Sequence, residues 1–503
     1  MVDAYIQAIV TLFQPLMLLV ILAGVLVGLF IGLLPAIGGM VGIALFLPFL
    51  WKMDPLIAMG FLVGLMSSTS QGGSITSILI NIPGTSQNVA TLLDGFPMNQ
   101  KGEGGRAIGA AVMSSIAGGV VPAFAALAMI PVIVPIVLAF RSPELCVLVL
   151  LGLSFMSVLT GDSPKRGLIS GGVGVLLSLI GFQGLTGTHR FTFGSFFLYN
   201  GLDLVALALG LFGLVELLDM LTKGQVTIAP EDVKVQKKSV SFRSVLGGMK
   251  DVYRHKGLWL RSCVIGYIVG MIPGIGSEVA IFVAYAQAKQ MSRNPEKFGT
   301  GCVEGVIAPE SATNAKESGA LLTTMAFGIP GSAIMALLMA AFMLVGVTPG
   351  PKMMAENLPL ALTLLMGVGL ANFIAGLISL GCAPYLGRVS IIHIDFLFPF
   401  VLVLIVVGVF VTASSIYNVV TVVVFGLLGY CMKKFGYPRP ALILGFILGE
   451  LFEFYFLRSW KLFGPTFFVT PICLIMLAII VGLFCFPYLR KAHFGISRRR
   501  QKV

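Results

Sequence analysis

Charge is scarce in this sequence. Asp, Glu, Lys and Arg make up 11% of its 503 residues, against about 25% in an ordinary soluble domain. Only four histidines occur, His189, His255, His393 and His493, and they fall at no metal-ligand spacing. Neither HExxH nor GxSxG is present, which removes the zinc-protease and serine-hydrolase arrangements. The seven cysteines, Cys146, Cys263, Cys302, Cys382, Cys431, Cys473 and Cys485, are scattered and form no CxxC. They read as packing residues rather than a disulfide or metal framework. No Lys or Arg stands before Lys52. The first apolar run therefore lacks the basic flank of a cleaved signal peptide and reads as mature structure. With no paired nucleophile and base, neither enzymatic activity nor a cofactor is expected.

What is abundant is apolar surface. Hydrophobic residues are 57% of the chain and the mean hydropathy is +0.99. A soluble core of this length could not hide so much, so lipid is the expected solvent for much of it. The net charge is +12. In a soluble protein that would suggest nucleic acid. In a membrane protein the simpler source is basic residues gathered in cytoplasmic loops, so the expected partner is a bilayer and not nucleic acid.

Long apolar segments recur almost without pause. Pro15–Leu50, Gly105–Phe140, Glu144–Thr160, Gly167–Gly181 and Phe196–Leu221 precede a polar linker. Leu258–Gln287, Gly319–Val345, Leu358–Cys382, Phe396–Thr412, Ile416–Met432, Ala441–Leu457 and Thr466–Leu489 follow it. At about 20 residues per span this predicts roughly 12 crossings, some of them broken. The expected class is an all-α integral membrane protein.

The two halves look alike. "GLLPAIGG" from Gly32 resembles "GMIPGIGS" from Gly270, and "GGSITSILINIPGTS" from Gly72 resembles "SGALLTTMAFGIPGSA" from Ser318. "SSIAGG" at Ser114 resembles "NFIAGL" at Asn372, and "ALALGLFGLVEL" at Ala206 resembles "ALILGFILGEL" at Ala441. The same order in both halves predicts an internal repeat. We expect repeat 1 over 1–222, a basic linker over 223–257, repeat 2 over 258–458, and an extra C-terminal helix and basic tail over 459–503.

Charge gives an expected topology. The linker is rich in Lys and Arg and the chain ends in "SRRRQKV", so both are placed in the cytoplasm and the N-terminus in the periplasm. The second half carries one segment, Thr466–Leu489, with no counterpart in the first. The first repeat then runs out to in and the second in to out, an inverted-topology repeat of the kind found in secondary transporters.

Two matched interruptions carry the chemistry. In "ILINIPGTSQN", Pro83 removes a backbone donor and Gly84 permits conformations that other residues resist. A helix over 75–82 is expected to stop there and another to begin near Asn88. Non-helical backbone at membrane depth is tolerated in protein or beside a watery cavity. Thr85, Ser86, Gln87 and Asn88 offer it polar groups, and a helix N-terminus favours anions. "GIPGS", Gly328–Ser332, repeats the device, and each break follows a polar stretch: "SSTSQGGS" from Ser67 and "PESATNAKESG" from Pro309. Paired interruptions point to a transporter binding site. The plain alternative is a pair of proline kinks packed on neighbours.

"LLPAIGG" and "MIPGIGS" form a second matched pair. Binding at half-helix ends, through Gly38, Gly276 and Ser277, and helix packing through small residues both fit it. The glycines of "GMIPGIGS" lack the βαβ context of a dinucleotide loop. Glu278, Glu304, Glu310 and Glu317 lie in or near apolar runs. Glu310, beside "SATN", is the best placed for cation or proton coupling, with Thr313 on the substrate side. "LLDGFPMNQKGEGGR", with Asp94, Lys101 and Arg106, reads as an interfacial loop, and "TGDSPKRG" from Thr160 as a tight loop.

These stretches also resemble a known family. "GLLPAIGG", "GMIPGIG", "GGSITSILINIPGTSQNVATLLDGFPMNQKG" and "APESATNAKESGALLTTMAFGIPGS" are similar to the large membrane subunit of tripartite tricarboxylate transporters, the TctA-type permeases. The similarity runs over nearly the whole chain. It implies a bacterial inner-membrane permease that works with a small four-helix membrane subunit and a periplasmic solute-binding protein. It implies uptake of organic carboxylates, citrate or another tricarboxylate or dicarboxylate, coupled to Na+ or H+. It further implies that Ser74, Asn81, Pro83, Gly84, Thr85, Asn314, Pro330, Gly331 and Ser332 line the transport path. The chain departs from the family at Lys316 and Glu317, where small residues are usual. Two readings fit: a surface ion pair, or a lysine that meets the substrate's charge. A stand-alone carboxylate permease or exporter is the alternative function.

Overall fold

The structure, a computed structural model, describes residues 1–34, 38–155, 164–223, 240–272, 277–386, 394–413 and 415–482. The chain forms α1 (Val2–Leu12), α2 (Pro15–Leu33), α3 (Gly38–Phe46), α4 (Pro55–Ile80), α5 (Val89–Gln100) and α6 (Gly104–Leu138). Then come α7 (Ser142–Phe155), α8 (Pro164–Ser178), α9 (Leu204–Ala208), which passes through a π-helical stretch into α10 (Val215–Lys223), and α11 (Phe242–Arg254). The second half holds α12 (Lys256–Met271), α13 (Ser277–Met291), α14 (Glu304–Phe327), α15 (Ala333–Leu344), α16 (Pro351–Glu356) and α17 (Leu358–Leu386). It closes with α18 (Ile394–Ala413), α19 (Ile416–Phe435), α20 (Arg439–Phe463) and α21 (Pro471–Gly482).

Among the described residues, five segments are long and apolar enough to cross a bilayer: Pro15–Leu33, Gly104–Leu138, Leu358–Ala383, Ile416–Phe435 and Arg439–Val469. The chain is a multi-pass membrane protein. Helices α4 and α14 have 26 and 24 residues, long enough to span, but their middles are too polar for that set. They are hidden in protein instead: Ala58–Gly60, Leu62–Ile80 and Gly305–Ala326 are buried throughout. Helix α4 starts where Asp54 accepts from the Leu56 and Ile57 amides, with Pro55 supplying a preset first turn.

The chain divides into two compact units, 1–137 with 203–435, and 138–202 with 436–503. In the larger, α2 and α4 pack backbone to backbone. Gly24, Gly28 and Gly32, four residues apart, leave no room for a Cβ beside the Phe61, Leu65 and Thr69 carbonyls. The second half repeats this: Gly266 and Gly270 of α12 press on the Ala312 and Lys316 carbonyls of α14. This is small-residue packing of the kind membrane helices use. On its other side α2 presents Met17, Ile21, Val25 and Leu29, again four apart, to Ala371 and Ala375 of α17.

The last helix of each half packs on helices from the other half. Within the larger unit, Gly210, between α9 and α10, lies against Val422 and Phe425 of α19, and Lys433 of α19 reaches Glu216 and Asp219 of α10 at 2.9 Å each. Within the smaller unit, Gly445 of α20 presses on Gly171 of α8, and Gly174 of α8 on Leu442 of α20.

Three expectations need correction. The smaller unit contains a two-stranded antiparallel hairpin, β1 (Gly181–Gln183) and β2 (Thr188–Arg190), so the chain is not purely helical. Gly187 takes φ +71° and the Gln183 side chain caps the Leu185 and Thr186 amides, which fixes the turn. Arg190 then forks onto Glu453 at 2.6 and 2.8 Å. Lys165 and Arg166 lie in the first turn of α8 rather than in a loop; Thr160–Ser163 is outside the described residues. Asp94 is no interfacial loop residue. It sits on α5, fully buried, and its Oδ1 accepts from the Gly299, Gly301 and Cys302 amides at 2.9–3.0 Å. Tyr285 donates to its other oxygen at 2.8 Å. A ring of backbone amides holds this carboxylate. Most of the linker, 224–239, and the tail from 483 are outside the described residues.

Candidate functional site

Both predicted breaks are present and closely alike. Helix α4 ends at Ile80 with Asn81 left-handed at φ 58°, and α14 ends at Phe327 with Gly328 left-handed at φ 68°. Three residues on, Pro83–Gly84 and Pro330–Gly331 turn the chain. Thr85 and Ser332 are extended, at φ −136° and −151°, and a new helix follows each. Ser332 caps α15 by accepting from the Met335 amide. Gly84 is wedged against the Gly32 carbonyl and the Gly73 Cα, and Gly331 against the Gly270 carbonyl and Ala320. The two breaks are thus seated on equivalent helix pairs. A Cβ added to Gly38, at φ +65°, would lie 3.8 Å from the Gly84 carbonyl, and one added to Gly39 would lie 3.6 Å from the Ile334 side chain. The N-terminal turn of α3 therefore faces the first break and the start of α15.

Beside the first break lies a buried polar seam. Glu310 of α14 is wholly enclosed. Its Oε1 accepts from the hydroxyls of Ser74 on α4, at 2.7 Å, and Thr91 on α5. Its Oε2 accepts from Ser115 on α6 at 2.9 Å. Asn314, one turn on, accepts from Ser70 at 2.8 Å and donates to the Ser115 carbonyl at 3.0 Å. Asn88 donates to Ser74 and to the Ser70 carbonyl, and it also accepts from Thr85. This one side chain links the first break to the seam. Gln71 reaches Asn372 at 3.1–3.2 Å, the residue that begins "NFIAGL" as Ser114 begins "SSIAGG". No Lys, Arg or His pairs with Glu310 among the described residues. Burying a carboxylate without an opposite charge costs several kcal/mol, which the three donating hydroxyls offset in part.

The seam is incompletely satisfied. Ser67 Oγ, Gln71 Oε1, Ser114 Oγ, Glu317 Oε2 and Ser318 Oγ are buried without a hydrogen-bond partner among the described residues. Such atoms are uncommon in a finished core. Lys316 and Glu317 do pair, at 2.6 Å, but at 1% and 3% exposure they lie inside the protein and not at its surface. Gln87 at the first break adds a bond to Glu317 at 3.2 Å. Beside Lys316 is a cavity of about 10 Å³, lined by Val269, Gly270, Ala280, Ala320, Gly331 and Ser332, room for about one water.

The predicted residues separate into groups. Ser74, Asn314 and Glu310 converge in the seam, and Thr313, equally buried, is turned back onto the Pro309 carbonyl at 2.8 Å. Pro83, Gly84, Thr85, Pro330, Gly331 and Ser332 form the breaks. Asn81 and Ser86 are exposed, and Asn81 acts through its backbone. Gly276 lies outside the described residues; Ser277 begins α13, and the side chains of Ser277 and Glu278 are not described. Glu304 is half-buried at the start of α14, 3.5 Å from His255. Ser70 falls within the polar stretch from Ser67 that precedes the first break, whereas Thr91 and Ser115 were not singled out. Ser115 was visible as a hydroxyl in an apolar run, but only the fold aims it at Glu310.

Paired helix breaks on a buried polar seam, in a multi-pass membrane protein, are the arrangement of a secondary transporter's binding region. Residues 18–444 match the tripartite tricarboxylate transporter TctA family. The chain belongs to that family of transporter permeases. It is 33% identical over 465 residues, 92% of this chain and 91% of the relative, to a protein of Agrobacterium vitis described as "Uncharacterized 52.8 kDa protein in TAR-I ttuC' 3'region". A second from the same organism, "Uncharacterized protein in TAR-II ttuC' 3'region", is 32% identical over 223 residues, 44% of this chain and 91% of that one. No solved structure matches.

Proposed function

We propose that this chain is the large permease subunit of a tripartite secondary transporter that depends on a binding protein. It imports organic carboxylates, citrate or another tricarboxylate or dicarboxylate, with a sodium or proton gradient, across a bacterial inner membrane. The observation that carries the reading is the likeness of the two breaks, Asn81–Thr85 and Gly328–Ser332, with the first tied through Asn88 to a buried polar seam around Glu310. Helix N-termini at α5 and α15 favour carboxylates, and Ser, Thr and Asn side chains add neutral hydrogen bonds. Glu310 with the Ser74, Thr91 and Ser115 oxygens is the seat of the coupling ion. The likeness of the breaks, and the packing of each half's last helix on the other half, support two repeats of inverted topology. About 12 crossings, some of them broken, would result. The linker and C-terminus are then cytoplasmic and the N-terminus periplasmic. The small four-helix subunit and a periplasmic solute-binding protein complete the assembly, and one repeat bundle moves against the other.

The test is uptake of labelled citrate and a panel of other carboxylates into proteoliposomes carrying this chain and its small subunit. Sodium and pH gradients are imposed, with and without the binding protein. Uphill uptake that needs the gradient and the binding protein supports the reading. Uptake that proceeds without the binding protein identifies a stand-alone permease.

A further inference from the structure

Away from the seam, a cleft of about 590 Å³ opens where α12 starts, α13 ends and α14 starts. Its lining includes Arg261, Arg293, His255, Glu304, Leu260 and Met291. The one carboxylate, Glu304, faces His255 at 3.5 Å. Neither guanidinium pairs with a carboxylate among the described residues; Arg261 meets only the Met291 sulfur, at 3.2 Å. Two exposed guanidinium groups thus share one concave surface whose single carboxylate, Glu304, faces His255 instead.

What leads away from the cleft is apolar. Leu260, Val264 and Ile268 of α12 are 47–53% exposed at four-residue spacing. Val279 and Val283 of α13, 43% and 42% exposed, lie four residues apart, and Met291, 60% exposed, follows eight residues on beyond Gln287. In a membrane protein such rows face acyl chains. Cations at the mouth with paired apolar rows beneath them match the two ends of one molecule. We propose that this cleft binds an anionic phospholipid, its phosphate between Arg261 and Arg293 and its acyl chains along the α12 and α13 rows. Basic pockets between membrane helices recognise headgroups in this way. The site adjoins α14 at Glu304, two turns from Glu310, so an occupied cleft braces the helix that carries the seam.

The full-length protein, in nanodiscs of phosphatidylcholine alone, is titrated with phosphatidylglycerol and bound lipid is counted by native mass spectrometry. Parallel samples receive inorganic phosphate. Wild type is expected to prefer phosphatidylglycerol, and phosphate is expected not to displace it. Each basic residue near an anionic surface contributes about 1 kcal/mol, so Arg261→Gln or Arg293→Gln should weaken retention roughly fivefold and the double variant roughly thirtyfold. Lys352→Gln, which removes an exposed charge on α16, should change nothing. Equal retention of phosphatidylcholine and phosphatidylglycerol by wild type overturns the proposal, and that measurement needs no variant to fold. Displacement of the lipid by millimolar phosphate also overturns it, in favour of a free-anion site.

Discussion

The hydroxyl of Ser74 on α4 donates to the carboxylate of Glu310 on α14 at 2.7 Å, joining residues 236 apart in sequence. One residue comes from each half, and each lies on the polar helix that ends in a break. The bond ties together the two helices that end in the breaks. A proton or cation that changes the charge of Glu310 would therefore act on both halves at once.

Glu310→Gln keeps the size of the side chain and removes its charge. Hydrogen bonds to a charged group contribute about 1.5–3 kcal/mol, so gradient-driven uptake should fall by about tenfold to a hundredfold while the protein still elutes as a folded species. Proteoliposome uptake at several sodium concentrations and pH values reads the effect. Wild-type uptake with unchanged ion dependence would remove Glu310 from the coupling role.

Lys316 and Glu317 are a buried pair, and breaking such a pair costs about 3–5 kcal/mol whereas replacing both members is often neutral. Lys316→Met alone should lower the melting temperature sharply, and Lys316→Met with Glu317→Leu should restore most of it. If the restored double variant also transports normally, Lys316 has no part in meeting substrate charge.

Gly84 and Gly331 differ in how tightly they are held. A Cβ on Gly84 would collide with backbone of α2 and α4, while on Gly331 its nearest neighbour is the Gly270 carbonyl at 3.0 Å. Overpacking costs about 1–3 kcal/mol, so Gly84→Ala should damage stability and uptake more than Gly331→Ala. Thermal unfolding of the two variants side by side checks the order.

Asn81 is left-handed and exposed, so its backbone is what the break needs. Asn81→Gly should retain near wild-type uptake, and Asn81→Val should lose about 1–2 kcal/mol of stability through the left-handed conformation. Strong loss of uptake in the glycine variant, with stability intact, would return the side chain to the substrate path.

Asp94 anchors 299–302 through three amides and Tyr285. Removing one partner of a buried charged network strands the others, at about 3–5 kcal/mol. Asp94→Ala should therefore unfold far more readily than Lys101→Ala, whose exposed amine reaches only the Thr300 carbonyl. Melting temperatures in detergent compare them directly.

The amino-acid order alone determined that lipid surrounds this chain, because 57% hydrophobic residues over 503 positions cannot be buried in a soluble core. It determined where α4 and α14 stop, because proline and glycine act on their own backbone whatever surrounds them. The repeated motifs made both breaks legible together. Other features required the folded chain. Asp94 looks like a loop residue until three amides from the other half close on it. Lys316 and Glu317 fit a surface pair as well as a substrate contact until α12 and Gln87 of the first break are seen packed on them. Thr91 and Ser115 are unremarkable hydroxyls on α5 and α6 until packing directs both at Glu310. Local conformation depends on neighbours in sequence, so it can be read there. Burial, hydrogen-bond partners and the balance of charge depend on residues hundreds of positions away, and only the tertiary structure decided those.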